Sequence, residues 1–204
     1  AAVRSGSRHR HRVADQRERR DVRRQGARGR DGCPAPASVS VTVPAPNAGG
    51  LVDALAKAGA VPMTEATAET LRVEAGRPRF TVDMDTDTIP LEAGIEDRAI
   101  SMTKGCYVGQ EVIVRVLHRG HGRVAKKLVS IRIDGQRPEH GAKLYAGDRE
   151  IGWVTSAAES PRSGTIALCY AQRDFVAPGT PLEVETASGR APAVVTEVRV
   201  PSAV

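Results

Sequence analysis

Lys126-Lys127-Leu128-Val129-Ser130-Ile131-Arg132-Ile133 runs directly into Asp134-Gly135. Its apolar positions and the Asp-Gly turn that ends it predict a strand. Strands recur around 143–145, 150–156, 164–170, 181–185 and 192–199, separated by Gly, Pro and Asp. Regular short strands with such turns imply a small barrel or sandwich. There is no internal repeat.

Upstream the period changes from two to helical. Val112, Ile113, Val116 and Leu117 predict an amphipathic helix that Gly120 and Gly122 break. Leu51 to Ala58 predict a helix with Leu51, Leu55 and Ala58 on one face, ended by Gly59. A second starts after a Thr64 cap and carries Thr67, Leu71 and Val73. Val39, Val41 and Val43 alternate with polar residues and predict a short strand before the turn at 44–50. The expected class is therefore α+β. Asp83, Asp85 and Asp87 alternate in a polar loop. That loop lacks the central Gly and bidentate Glu of a calcium loop, so a solvated loop is expected.

Charge divides the chain. Residues 1–31 hold 11 arginines and 4 acids, while the remainder carries 19 basic and 20 acidic groups. The excess positive charge thus lies in one tail, and the rest gives no reason to expect nucleic-acid binding. Residues 1–37 are expected to be disordered, since they lack a buryable face. Such a tail reads as a basic arm, as a solvated extension, or as sequence foreign to the protein, given that no Met opens it. No apolar run approaches the roughly 20 residues that cross a bilayer, and no membrane partner is expected. Cys33, Cys106 and Cys169 are odd in number and scattered. That argues against a disulfide framework and fits a cytoplasmic protein. No metal site is expected.

The segment with most chemistry is Lys104-Gly105-Cys106-Tyr107-Val108-Gly109-Gln110-Glu111. A thiol between two glycines, beside a cation and just before a helix, reads as a low-pKa redox or sulfur-handling group. The bland alternative is a small apolar residue in a turn. Gln110 suits a ligand amide, and Glu111 either that ligand, a helix cap, or a pair with Arg115. His118 and His121 beside Arg119 and Arg123 read as residues at a helix end. Cys169, in an apolar strand, reads as core.

Lys104 to Glu111 resembles the signature of the YgfZ-type folate-binding proteins, relatives of the glycine-cleavage T-protein. Leu71-Arg72-Val73-Glu74-Ala75-Gly76 and Thr88-Ile89-Pro90-Leu91-Glu92-Ala93-Gly94 are similar to two further motifs of that superfamily. Gly152-Trp153-Val154-Thr155-Ser156, Ile166-Ala167-Leu168 and Pro178-Gly179-Thr180 resemble its C-terminal barrel. The resemblance covers about residues 39–200. It implies a partial folate-binding domain over 38–124 and a β-barrel over 125–204.

It also implies that Glu74 meets the pterin edge of tetrahydrofolate, with Glu92 in a similar role. The structural alternative pairs Glu74 with Arg72 or Arg77. Lys104, Cys106, Gln110 and Glu111 would complete the site. Family members carry a further N-terminal segment with an aspartate important for aminomethyl chemistry, which has no counterpart before Val39. The implied function is tetrahydrofolate-dependent support of iron–sulfur protein assembly or repair, with folate and iron–sulfur proteins or their assembly factors as partners. The alternatives are aminomethyl transfer in glycine cleavage, against which the Lys104–Glu111 signature argues, or a non-functional fragment of a longer gene.

Overall fold

A computed structural model describes residues 22–25, 27–28, 38–101, 103–118, 122–197 and 202–203. Two short strands, β1 (Val22–Gln25) and β2 (Ala27–Arg28), lie within the tail expected to be without secondary structure. β1 pairs antiparallel with β3 (Ser38–Val41). The rest of the expectation for residues 1–37, Cys33 included, lies outside the described residues.

Helix α1 (Ala48–Lys57) begins three residues before the predicted start, and Gly59 takes a left-handed φ of 89° just beyond its end. None of its residues is buried. Helix α2 (Glu65–Glu74) starts at the predicted cap, where the Thr67 amide donates to Thr64 Oγ1 at 3.2 Å. Two single-turn helices follow, α3 (Pro90–Ala93) and α4 (Glu96–Ala99). Pro90 opens α3 because its fixed φ suits a first helical turn. Helix α5 (Gln110–His118) buries Ile113 and leaves Val112 and Val114 exposed.

The C-terminal part is a closed six-stranded barrel. Its strands are β4 (Lys126–Ile133), β5 (Lys143–Ala146), β6 (Arg149–Ser160), β7 (Gly164–Gln172), β8 (Pro181–Thr186) and β9 (Gly189–Thr196). They run in the order β4-β7-β6-β5-β8-β9, and β9 pairs back on β4, every pairing antiparallel. A last short strand, β10 (Ser202–Ala203), pairs with β2. Closure removes the unpaired edges an open sheet would expose. The barrel strand β6 runs past its predicted end at 156, because Ala157 to Ser160 pair in register with Gly164 to Ala167 of β7.

Strand alternation separates two cores. Val129, Ile131 and Ile133 of β4 point inward with Ala167, Cys169 and Ala171 of β7. Cys169 is fully buried there, so burial pushes its thiol pKa well above the ordinary value. The intervening residues Leu128, Leu168 and Tyr170 point outward, as a two-residue period requires. They pack with Ala158 around Val73 of α2. Val73 is 2% exposed, and its burial contributes about 2 kcal/mol. This outer cluster seats α2 on the barrel wall and so places Arg72 and Glu74 against β6.

Candidate functional site

Asp83 is the centre of the contact between α2 and the barrel. The expected solvated loop holds at Asp85 and Asp87, which are exposed, but not at Asp83, which is 2% exposed. Its Oδ2 accepts from Arg72 Nη1 at 2.6 Å and from the Arg79 amide at 2.9 Å. Its Oδ1 accepts from Thr155 Oγ1 at 2.5 Å and Ser156 Oγ at 2.7 Å. A buried carboxylate persists only with such a complete set of donors. Arg72 continues the network, donating from Nε and Nη2 to both oxygens of Glu69 at 2.9 and 2.6 Å. That bond with Arg72 holds the Glu69 carboxyl below its ordinary pKa. Burial works against the Arg72 charge, but Glu69 and Asp83 outweigh it and raise the guanidinium pKa.

Glu74, the residue expected at the pterin edge, ends α2 and is bound to the barrel. Ser160 Oγ donates to its Oε1 at 2.5 Å and Arg162 Nη2 to its Oε2 at 2.9 Å. Its partners are therefore not the neighbouring Arg72 and Arg77. Arg72 is already directed at Glu69, Asp83 and the Arg77 carbonyl.

Glu92 is different. It sits in α3 at 9% exposure, and among the described residues no donor hydrogen-bonds its carboxylate. The nearest cation is Lys126 Nζ at 4.0 Å. That ammonium also lies 4.9 Å above the Trp153 ring and 5.2 Å above Tyr170. The two rings are 5.5 Å apart. Burial, reinforced by the Glu92 charge, pushes the Tyr170 phenol up to about 12. Its hydroxyl is buried without a partner at hydrogen-bonding geometry. The nearby Thr88 hydroxyl instead donates to Asp85 Oδ1 at 2.8 Å. The Glu92 carboxylate and the Lys126 ammonium thus gather beside the Trp153–Tyr170 pair, whose phenol has hydrogen-bonding capacity unused.

The Lys104–Glu111 segment forms an exposed turn. Cys106 is an exposed free thiol, four residues before α5 begins. The Lys104 ammonium lies 5.1 Å over the Tyr107 ring. Gln110 opens the helix and folds back on the turn before it, its Oε1 accepting from the Tyr107 amide at 3.2 Å. Gly109 permits this with a φ of 85°. Glu111, Arg115 and His118 line a shallow cavity of about 280 Å³. The expected Glu111–Arg115 ion pair is absent among the described residues. Arg119 and His121 lie outside them.

No hydrogen bond or ion pair among the described residues joins Glu74, Glu92 and Cys106 to one another. Nor is any group of three or more His, Cys, Asp or Glu side chains gathered there as a metal ion would need. The sequence marked Asp83 only as one of three alternating acids in a loop and did not bring Lys126, Trp153 and Tyr170 together. The barrel partners of Asp83 lie 72 and 73 residues away, and the hint was that Arg72 and the Gly152–Ser156 run both fall in family-like motifs.

Residues 126–199 match the family model of the glycine cleavage T-protein C-terminal barrel domain. The barrel is the C-terminal barrel domain of the glycine cleavage T-protein superfamily. An aminomethyltransferase of Saccharopolyspora erythraea is 37% identical over 139 residues, covering 66% of this chain and 37% of that protein. One from Thermosynechococcus vestitus is 34% identical over 176 residues, covering 85% of this chain and 45% of that protein. A crystal structure of the glycine cleavage system aminomethyltransferase T from Bartonella henselae shares the fold. Its TM-score is 0.71 at 21% identity, over 82% of this chain and 48% of that one. The chain therefore spans less than half the length of these T-protein relatives. The matches support an α+β fold with a T-protein barrel, and the relatives are named for aminomethyl transfer, not for iron–sulfur assembly.

Proposed function

We propose that this chain serves tetrahydrofolate-dependent aminomethyl transfer, and that Glu92 is its contact to the pterin. The single supporting observation is the similarity to aminomethyltransferases, which extends upstream of the barrel through the helical part. The pterin edge presents N–H donors, and a carboxylate accepts two such bonds at once. The fit of the two candidate glutamates differs. Glu74 has both oxygens occupied by Ser160 and Arg162, whereas Glu92 is buried and accepts no hydrogen bond from a described residue. The test is calorimetry of tetrahydrofolate with this chain. Glu92→Gln turns one acceptor into a donor and should cost on the order of 1–3 kcal/mol of binding. Glu74→Gln should cost less. Equal affinities for Glu92→Gln and the unaltered chain would remove Glu92 from the site.

A second reading, folate-dependent support of iron–sulfur proteins, is favoured by the exposed Cys106 in its YgfZ-like setting. Cys106→Ser separates the two. Under the first reading it leaves tetrahydrofolate-dependent aminomethyl transfer intact. Under the second it lowers iron–sulfur enzyme activities in cells that depend on this protein.

A further inference from the structure

We infer that the barrel carries a binding site for a planar aromatic carboxylate, in the cavity that Trp153 and Lys126 share. The inference stands on that cavity alone and holds whether or not the folate reading does. The cavity is shallow and open to solvent, and its volume of about 610 Å³ is enough to admit a small aromatic ligand. It opens where the starts of β4 and β6 meet the end of β7, lined among others by Lys126, Glu150, Trp153, Gln172, Arg173 and Asp174.

Two lining groups have unused capacity. Trp153, the single tryptophan of the chain, is 39% exposed. Its indole lies against the Tyr170 ring, 5.5 Å from centroid to centroid. A flat ring laid on the open indole surface would gain stacking and burial. The Lys126 ammonium donates no side-chain hydrogen bond among the described residues; it lies 4.9 Å over the Trp153 ring, and its ion-pair partner Glu92 stands off at 4.0 Å. The other lining charges are matched, Glu150 by Lys143 at 2.6 Å and Arg173 by Asp174 at 3.4 Å. An incoming carboxylate therefore meets the Lys126 ammonium without breaking an existing close pair. Ring and carboxylate together define the ligand class.

The probe is 2-naphthoate, titrated into the full chain. Affinity is read by calorimetry and location by the single indole N–H resonance of Trp153. Saturable one-to-one binding that shifts this resonance is expected. Lys126→Gln should weaken it at least tenfold, Lys126→Arg should retain it, and Trp153→Leu should weaken it comparably. The neutral amide of the probe should bind at least tenfold more weakly. Absence of saturable binding, an unshifted indole resonance at saturation, or undiminished affinity in Lys126→Gln would each overturn the inference. The resonance test needs no variant, so a failure of either substitution to fold leaves the site testable.

Discussion

The Asp83 carboxylate shows how one residue couples two parts of the chain. It takes four hydrogen bonds from Arg72, Arg79, Thr155 and Ser156. Removing one partner of a buried ion pair strands the other and typically costs 3–5 kcal/mol. Asp83→Asn should therefore loosen α2 from the barrel by about 3 kcal/mol. Hydrogen exchange of the α2 amides, faster by roughly 100-fold, is the measure. Glu69 adds a pH dependence. Its folded pKa is depressed by the bond with Arg72, so its contribution is present above the ordinary carboxylate pKa of about 4.3. That contribution is lost as pH falls through the folded value. Chemical denaturation should find Glu69→Gln less stable than the unaltered chain at pH 7. At a pH below both values the two should converge.

At the scale of elements, local signals and distant partners divide what was legible. Helix α2 was readable because its cap is local: Thr64 needs only the amide three residues on. Thr64→Ala should cost about 1 kcal/mol, seen as a lowered denaturation midpoint. The barrel was readable because Val129, Ile131 and Ile133 alternate and turns punctuate the strands. The end of β6 was not, since Ala157-Ala158-Glu159-Ser160 has weak strand propensity and is held by its pairing with β7. The partners of Glu74, Ser160 and Arg162, were not legible for a related reason. Sequence spacing offers only near neighbours as partners, whereas Arg162 lies 88 residues away. Gly152 is a further tertiary requirement invisible to local reading. A Cβ there would lie 1.8 Å from the Tyr170 carbonyl oxygen. Neither backbone can yield within a paired ladder, so Gly152→Ala should destabilise by about 3 kcal/mol or more, measured by thermal unfolding.

Across the whole molecule, the barrel and the helices upstream differ in how they are held. The barrel is closed and filled by its own residues, with Cys169 at 0% exposure in its centre. Helix α2 packs on its outer wall through Val73 and the Asp83 hydrogen bonds. Opening α2 therefore exposes the wall without exposing the barrel interior. The two free cysteines of known burial report on this. Cys106, exposed, should be alkylated in the native protein, while Cys169 should react only when the barrel itself opens, as peptide-resolved mass spectrometry can distinguish. Asp83→Asn should then leave Cys169 labelling nearly unchanged even though α2 exchanges faster, because the barrel's closed ladder does not pass through Asp83. If Cys169 labelling accelerated as much as α2 exchange, the helix and the barrel would open as one cooperative unit. Asp83 would then belong to the stability of the barrel itself and not only to the attachment of α2.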